Sequence, residues 1–125
     1  MKRNFTFLLT ILLCSSLGCS KMQITKHALS TERLQARVAT LMQAKINNDW
    51  VKVYELYDHS FRKTNPKEAF VNLQRGLGFK DYSIVNIQMD EPSKTAKVQL
   101  EMAATMKGYE FKGIKKTQTW IFENG

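Results

Sequence analysis

Several side chains in this chain are of types that could do chemistry. Asp58-His59 joins a carboxylate to an imidazole, and the phenol of Tyr54 lies four residues before the carboxylate. In an acid/base site, Asp58 would abstract a proton while Tyr54 or His59 polarised the substrate. Cys19 is a thiol that follows the small residues Ser15, Ser16 and Gly18. Small residues let an extended chain enter a peptidase cleft, and a cut after Gly18 would leave that thiol at the new N-terminus. Other chemistries lack their parts. His27 and His59 are the only histidines and Cys14 and Cys19 the only cysteines, with no His-x-x-x-His or Cys-x-x-Cys spacing, so neither a metal nor a cofactor is expected. Gly76-Leu77-Gly78 lacks the rest of a phosphate loop, and no nucleophile-elbow motif accompanies the serines.

The elements that must position these groups follow from the hydrophobic spacing. Leu34, Val38, Leu41, Met42 and Lys45 fall on one stripe, which predicts a first helix over 31–46 with Ser30 as its cap. Asn47-Asn48 breaks it, and Asp49 can cap the next. A second helix is expected from Trp50 to Phe61. Trp50, Val53, Tyr54, Tyr57 and Phe61 share one face of it; His59 falls opposite and Asp58 on the border. The plainer reading of Asp58-His59 is therefore a solvated helix end. Asp58 at a pocket rim, with Tyr54, is the catalytic alternative. The aromatic stripe reads first as core. As a pocket lining it would comprise Trp50, Tyr54, Tyr57 and Phe61, together with Phe70 and Met102. Asn65-Pro66-Lys67-Glu68 is a helix-start signal, with Asn65 capping and Pro66 in the first helical position. This third helix should turn Phe70, Leu73 and Leu77 inward and end at Gly76 or Gly78.

Beyond Gly78 the period changes from helical to alternating. Ser83, Val85, Ile87 and Met89 form one parity of a first strand, and Asp90-Glu91-Pro92-Ser93 turns the chain. From Lys94 to Met106, Ala96, Val98, Leu100, Met102, Ala104 and Met106 share a face. A turn at Lys107-Gly108 precedes a third strand over 113–122, with Ile114, Trp120 and Phe122 of one parity. Asn124-Gly125 is a hairpin signal with no strand after it, so either this sequence lacks its natural C-terminus, the favoured reading, or its last strand ends without its usual partner.

The start of the chain has a different composition. Lys2 and Arg3 precede an apolar run from Phe5 to Leu13, which suits a signal-peptide core and is too short to span a bilayer. Ser15-Ser16-Leu17-Gly18-Cys19 resembles a lipobox, the processing signal of bacterial lipoproteins, in its permissive form with Ser16 where Leu is commonest. The resemblance implies a signal peptide over residues 1–18, a diacylglycerol-modified Cys19, a short tether over 19–29 and one domain over 30–125. Plain secretion after Gly18 and an uncleaved anchor are the competing readings. Cys14 leaves with the leader, so no disulfide can form within the remainder. In a host that sorts lipoproteins as enteric bacteria do, Ser20 after the cysteine favours the outer membrane, facing the periplasm.

Three helices followed by antiparallel strands give an α+β class, with the helices packed on one sheet face. This order resembles the nuclear-transport-factor-two-like superfamily. The resemblance rests on the first helix running into Asn47-Asn48-Asp49-Trp50, on Tyr57-Asp58-His59-Ser60-Phe61 and on Thr119-Trp120-Ile121-Phe122-Glu123-Asn124-Gly125. It covers residues 31–125 and implies a curved antiparallel sheet forming a cone. In that superfamily the cone's mouth is a pocket. Some members are enzymes, such as ketosteroid isomerase-like proteins, and many are non-catalytic binding or dimerisation modules. No catalytic motif of the family aligns with Asp58 or Tyr54.

The chain carries a net charge of +8. Lys107, Lys112, Lys115 and Lys116 form one basic group, and Arg62, Lys63 and Lys67 another. They read as a solvated basic surface or as a surface for anionic envelope polymers. Nucleic acid is not expected, because no reading motif is present. The sequence thus points to a lipid-anchored envelope protein, more readily a non-enzymatic module than an enzyme. Its expected partners are the membrane through the anchor, a second copy or an envelope protein, and a small apolar ligand. A small acid/base enzyme and an electrostatic binder are the alternatives.

Overall fold

The computed structural model describes the backbone of residues 19–123 and the side chains of 31–123. The expected leader over 1–18, the Cys19 thiol and the Asn124-Gly125 turn lie outside the described residues. The elements are α1 (Cys19–Ile46), α2 (Trp50–Glu55), α3 (His59–Thr64), α4 (Lys67–Leu73), β1 (Leu77–Asp90), β2 (Thr95–Met106) and β3 (Tyr109–Ile121). The strands form one antiparallel sheet in the order β1-β2-β3. The class is α+β, as the sequence predicts.

In α1, Leu34, Val38, Leu41 and Met42 are buried at helical spacing, and Val38 and Met42 expose nothing. The helix reaches back past Thr31 to Cys19, so Ser30 lies within it and does not cap it. No Gly or Pro stands between Cys19 and Ile46 to stop the ladder. Asn48 stops it at the other end, in the left-handed region at φ 56°. Asp49 caps α2 as expected, its Oδ1 accepting from the Lys52 N–H at 3.1 Å.

The second expected helix is two helices, which gives four helical segments among the described residues where the sequence suggested three. The break falls at Leu56–Asp58, because Asp58 adopts extended backbone and caps α3 with its own side chain. A short Asp side chain competes with helix continuation by offering such a local bond. Asn65 does not cap α4. It ends α3 instead, its Nδ2 donating to the Phe61 carbonyl at 2.9 Å, and its extended backbone is what a residue before proline favours. Pro66 takes the capping position of α4 with no side-chain bond. Leu73 is 81 % exposed and Leu77 belongs to β1, so neither serves as an inward helix residue. Gly76, at φ 85°, makes the left-handed turn between α4 and the sheet.

β2 is the central strand, and Ala96, Val98, Leu100, Met102 and Ala104 are buried along one face. Ala96, Val98, Leu100 and Met102 pack with Leu34, Val38 and Met42 of α1 into the first core cluster. Met106, expected on that face within the core, is half exposed at the strand end. The opposite face carries Lys97, Gln99 and Glu101, beside Ser83, Thr117, Thr119 and Lys115. The parity expected in β1 fails because bulges at Phe79/Asp81 and Ile84/Asn86 reset it. Ile84, Ile87 and Met89 pack on the core, while Ser83 and Val85 are exposed. β3 starts at Tyr109, earlier than the expected residue 113. Lys107 and Gly108 both take positive φ, 50° and 84°, and close a two-residue hairpin. Ile121 interrupts the alternation of Ile114, Trp120 and Phe122 and leaves the facing of this strand open in the sequence; in the fold Ile114, Trp120 and Phe122 pack inward and Ile121 is exposed.

Candidate functional site

The candidate residues converge where α2, α3 and α4 meet the start of the sheet. Trp50, Tyr54 and Phe70 are buried, and Leu56, Tyr57, Phe61, Leu77, Phe79 and Trp120 pack against them. Tyr57 and Phe61 stack at 4.1 Å between centroids, and Phe70 meets them edge-on at 5.5 and 5.9 Å. Burial pushes the Tyr57 phenol above its ordinary pKa. Met102 is not part of this group; it lies in the other cluster, on β2 against α1.

The two catalytic candidates are held by backbone. Asp58 Oδ1 accepts from the Phe61 N–H at 3.0 Å, which is the cap of α3. The Tyr54 hydroxyl lies 2.7 Å from the Asn65 carbonyl and 3.0 Å from that of Arg62, so its one proton serves the turn between α3 and α4. His59 is exposed in the first turn of α3. Among the described residues one shallow open cleft lies at Val51, Lys67, Glu68, Val71 and Asn72, and another at Ala39, Thr40, Gln43, Ala44, Asn47, Asp49, Lys52 and Tyr82. Neither is lined by Asp58, Tyr54 or Phe70. Asp58→Ala should cost about 1 kcal/mol of stability in denaturant unfolding, whereas Asp58→Asn, which also caps, should cost a few tenths at most. A larger loss in the Asn variant would contradict the capping role.

No protein-family model matches this chain, and comparison with curated proteins returns no match. The site must therefore be read from its own geometry. No group of three or more His, Cys, Asp or Glu side chains placed to hold a metal ion occurs among the described residues. No helix among them is long and apolar enough to cross a membrane.

The basic groups do not merge into one face. Lys115 stands opposite Glu101 on the outer side of the sheet, while Lys116 stands opposite the buried Leu100 on the helix side. Arg62 and Lys63 are on α3 and Lys67 is on α4. Glu110 bonds Lys80 at 3.2 Å and lies 3.7 Å from Lys112. The Lys80 hydrogen bond, then the charges of Lys80 and Lys112, hold the Glu110 carboxyl below its ordinary pKa.

One group absent from the expected set is chemically unusual. Lys45, near the end of α1, is only 7 % exposed, and its Nζ lies 5.4 Å from the centre of the Phe79 ring. That ring also meets Trp50 edge-on at 6.2 Å. Burial, with a smaller contribution from the charge of Lys116, pushes the Lys45 amine down to about 8. The sequence signal was present: Lys45 continues the stripe of Leu34, Val38, Leu41 and Met42. A lysine at the edge of a stripe usually extends its head to water, and only the fold shows how little of this one is exposed.

Proposed function

We propose that the protein is a non-enzymatic, lipid-anchored module of the bacterial cell envelope, built as a nuclear-transport-factor-two-like cone. Its anchor is Cys19, acylated after removal of residues 1–18, and its address is the outer membrane facing the periplasm where the host is Gram-negative. The domain binds a small apolar ligand or an envelope partner, which includes a second copy using the outer sheet face. The observation that carries the non-enzymatic reading is the engagement of both catalytic candidates: Asp58 caps α3 and Tyr54 holds the α3–α4 turn. The anchor is supported by the apolar run Phe5–Leu13 followed by Ser15-Ser16-Leu17-Gly18-Cys19. Acyl chains contribute about 0.8 kcal/mol per buried methylene, so two or three of them hold a small domain on a bilayer.

Fractionation of cells grown with labelled palmitate tests this reading. The wild-type protein should carry label and sediment with membranes, and Cys19→Ala should lose the label and leave the membrane fraction. A Cys19→Ala protein that stays membrane-bound would contradict the anchor. Turnover of a small carbonyl substrate that vanished in Asp58→Asn would contradict the non-enzymatic reading.

A further inference from the structure

Lys45 and the sheet beside it place two incomplete surfaces next to each other. The Lys45 ammonium is buried and bonds no carboxylate among the described residues; its recorded contact is the Phe79 ring. No buried polar side-chain atom among the described residues is both sealed and unpartnered, so solvent still reaches this Nζ. The register puts a second cation on the same side of the sheet. Lys116 pairs with Leu100, which faces the helices, and its charge is felt at Lys45. A largely buried ammonium that solvent barely reaches is stabilised when an anion joins it and the neighbouring like charge.

The apolar surface begins at the ring under Lys45. Phe79, Ala104 and Phe111 form one row across the three strands, on the helix side. Leu77, Met106 and Tyr109 form the next row towards the hairpin. Helices leave the β3 side of these rows open: Phe111 is 46 %, Met106 50 % and Tyr109 73 % exposed. An apolar strip therefore runs from the ring beneath Lys45 to the hairpin tip, and Lys116 stands further along β3, beyond Ile114, on the same side of the sheet.

We propose that this strip and the two lysines bind a single-chain amphiphile with an anionic head, of the fatty-carboxylate class. The carboxylate sits between Lys45 and Lys116, and the hydrocarbon chain covers Phe111, Met106 and Tyr109. A second protein copy could cover the same apolar residues, but it would leave the cations uncompensated unless it supplied a carboxylate there, and that charge requirement favours the amphiphile. The lowered pKa of Lys45 agrees with this geometry, since a bound carboxylate would raise it again. The inference rests on the ligand-binding part of the proposed function and supplies its ligand class.

Full-chain Cys19→Ala protein in aqueous buffer, titrated with [1-13C]dodecanoate, tests it by NMR of the carboxylate and by calorimetry. Dodecanoate should bind, while dodecanol and acetate should each bind at least about tenfold more weakly, because each lacks one half of the match. Lys45→Met and the surface change Lys116→Gln should each weaken dodecanoate at least about tenfold. Tyr109→Ser should weaken it without altering sedimentation. Equal binding of dodecanol, no binding of dodecanoate, or self-association abolished by Tyr109→Ser would each overturn the proposal. Failure of the anchor reading would appear in the palmitate fractionation and leave this titration unchanged. A neutral molecule that co-purifies in native mass spectrometry, and is retained by Lys45→Met, would contradict the ligand class while upholding ligand binding.

Discussion

Lys45→Met should stabilise the protein by roughly 1–3 kcal/mol at pH 7 in denaturant unfolding. Methionine keeps the length and apolar character of the buried stem and removes a desolvated charge. The gain is reduced by loss of the cation contact with Phe79, which is worth about 0.5–2 kcal/mol. The pH dependence gives a second readout with a fixed sign. The amine titrates near 8 when folded and 10.5 when unfolded. Below pH 8 both states are protonated, and the burial penalty is constant. Between pH 8 and 10.5 the unfolded state binds more protons, so wild-type stability rises with pH. The limit is roughly 3 kcal/mol from a shift of this size. Lys116 is the neighbouring charge that adds to the effect. Tyr57 acts in the opposite sense above pH 10, since its phenol titrates later in the folded state. The advantage of Lys45→Met over wild type should therefore shrink between pH 7 and 10, while Tyr57 affects both proteins alike. A constant difference across that range would show that burial does not lower the Lys45 amine in the folded protein.

Leu100→Ala should destabilise the fold by about 2–5 kcal/mol, read from the unfolding midpoint at unchanged slope. Leu100 is 1 % exposed at the middle of the central strand, between Ile84 on β1 and Lys116 on β3. It belongs to the cluster that joins α1 to the sheet. Truncation removes transfer energy and leaves a cavity, and hydrogen-bonded strands on both sides hinder collapse into it. Where the total stability of a small domain is about 5–15 kcal/mol, this single change can unfold much of the population. A loss below about 1 kcal/mol would mean that the helix does not press on this part of the sheet.

The two largest features of the fold were legible because their periods are long and regular. Leu34, Val38, Leu41 and Met42 recur as one helical stripe, and Ala96 to Ala104 alternate without interruption; both sets are buried as the spacing requires. The errors have local causes. The expected helix from Trp50 to Phe61 has a continuous aromatic stripe, yet Asp58 prefers to cap, and one hydrogen bond to Phe61 N–H splits it. Hydrophobic period cannot register such competition. In β1 the alternation of Ser83, Val85, Ile87 and Met89 assumed a constant register, and the bulge at Ile84/Asn86 moved Val85 outward. Bulges are set by pairing with β2 and leave little trace in one strand's composition. Among candidate site residues, Asp58 and Tyr54 were singled out by chemical type, and the fold gives both a backbone partner. Lys45 was legible only as the edge of a stripe. Its burial depends on Phe79 arriving from β1, a contact between residues far apart in sequence.

The proposed function requires a domain tied to a membrane through Cys19. The intact mass of the wild-type protein extracted from membranes, with sequencing of its N-terminal peptide, tests it most directly. The expected chain begins at Cys19 and carries diacylglycerol on sulfur. A chain beginning at any other residue, or an unmodified Cys19, would contradict it.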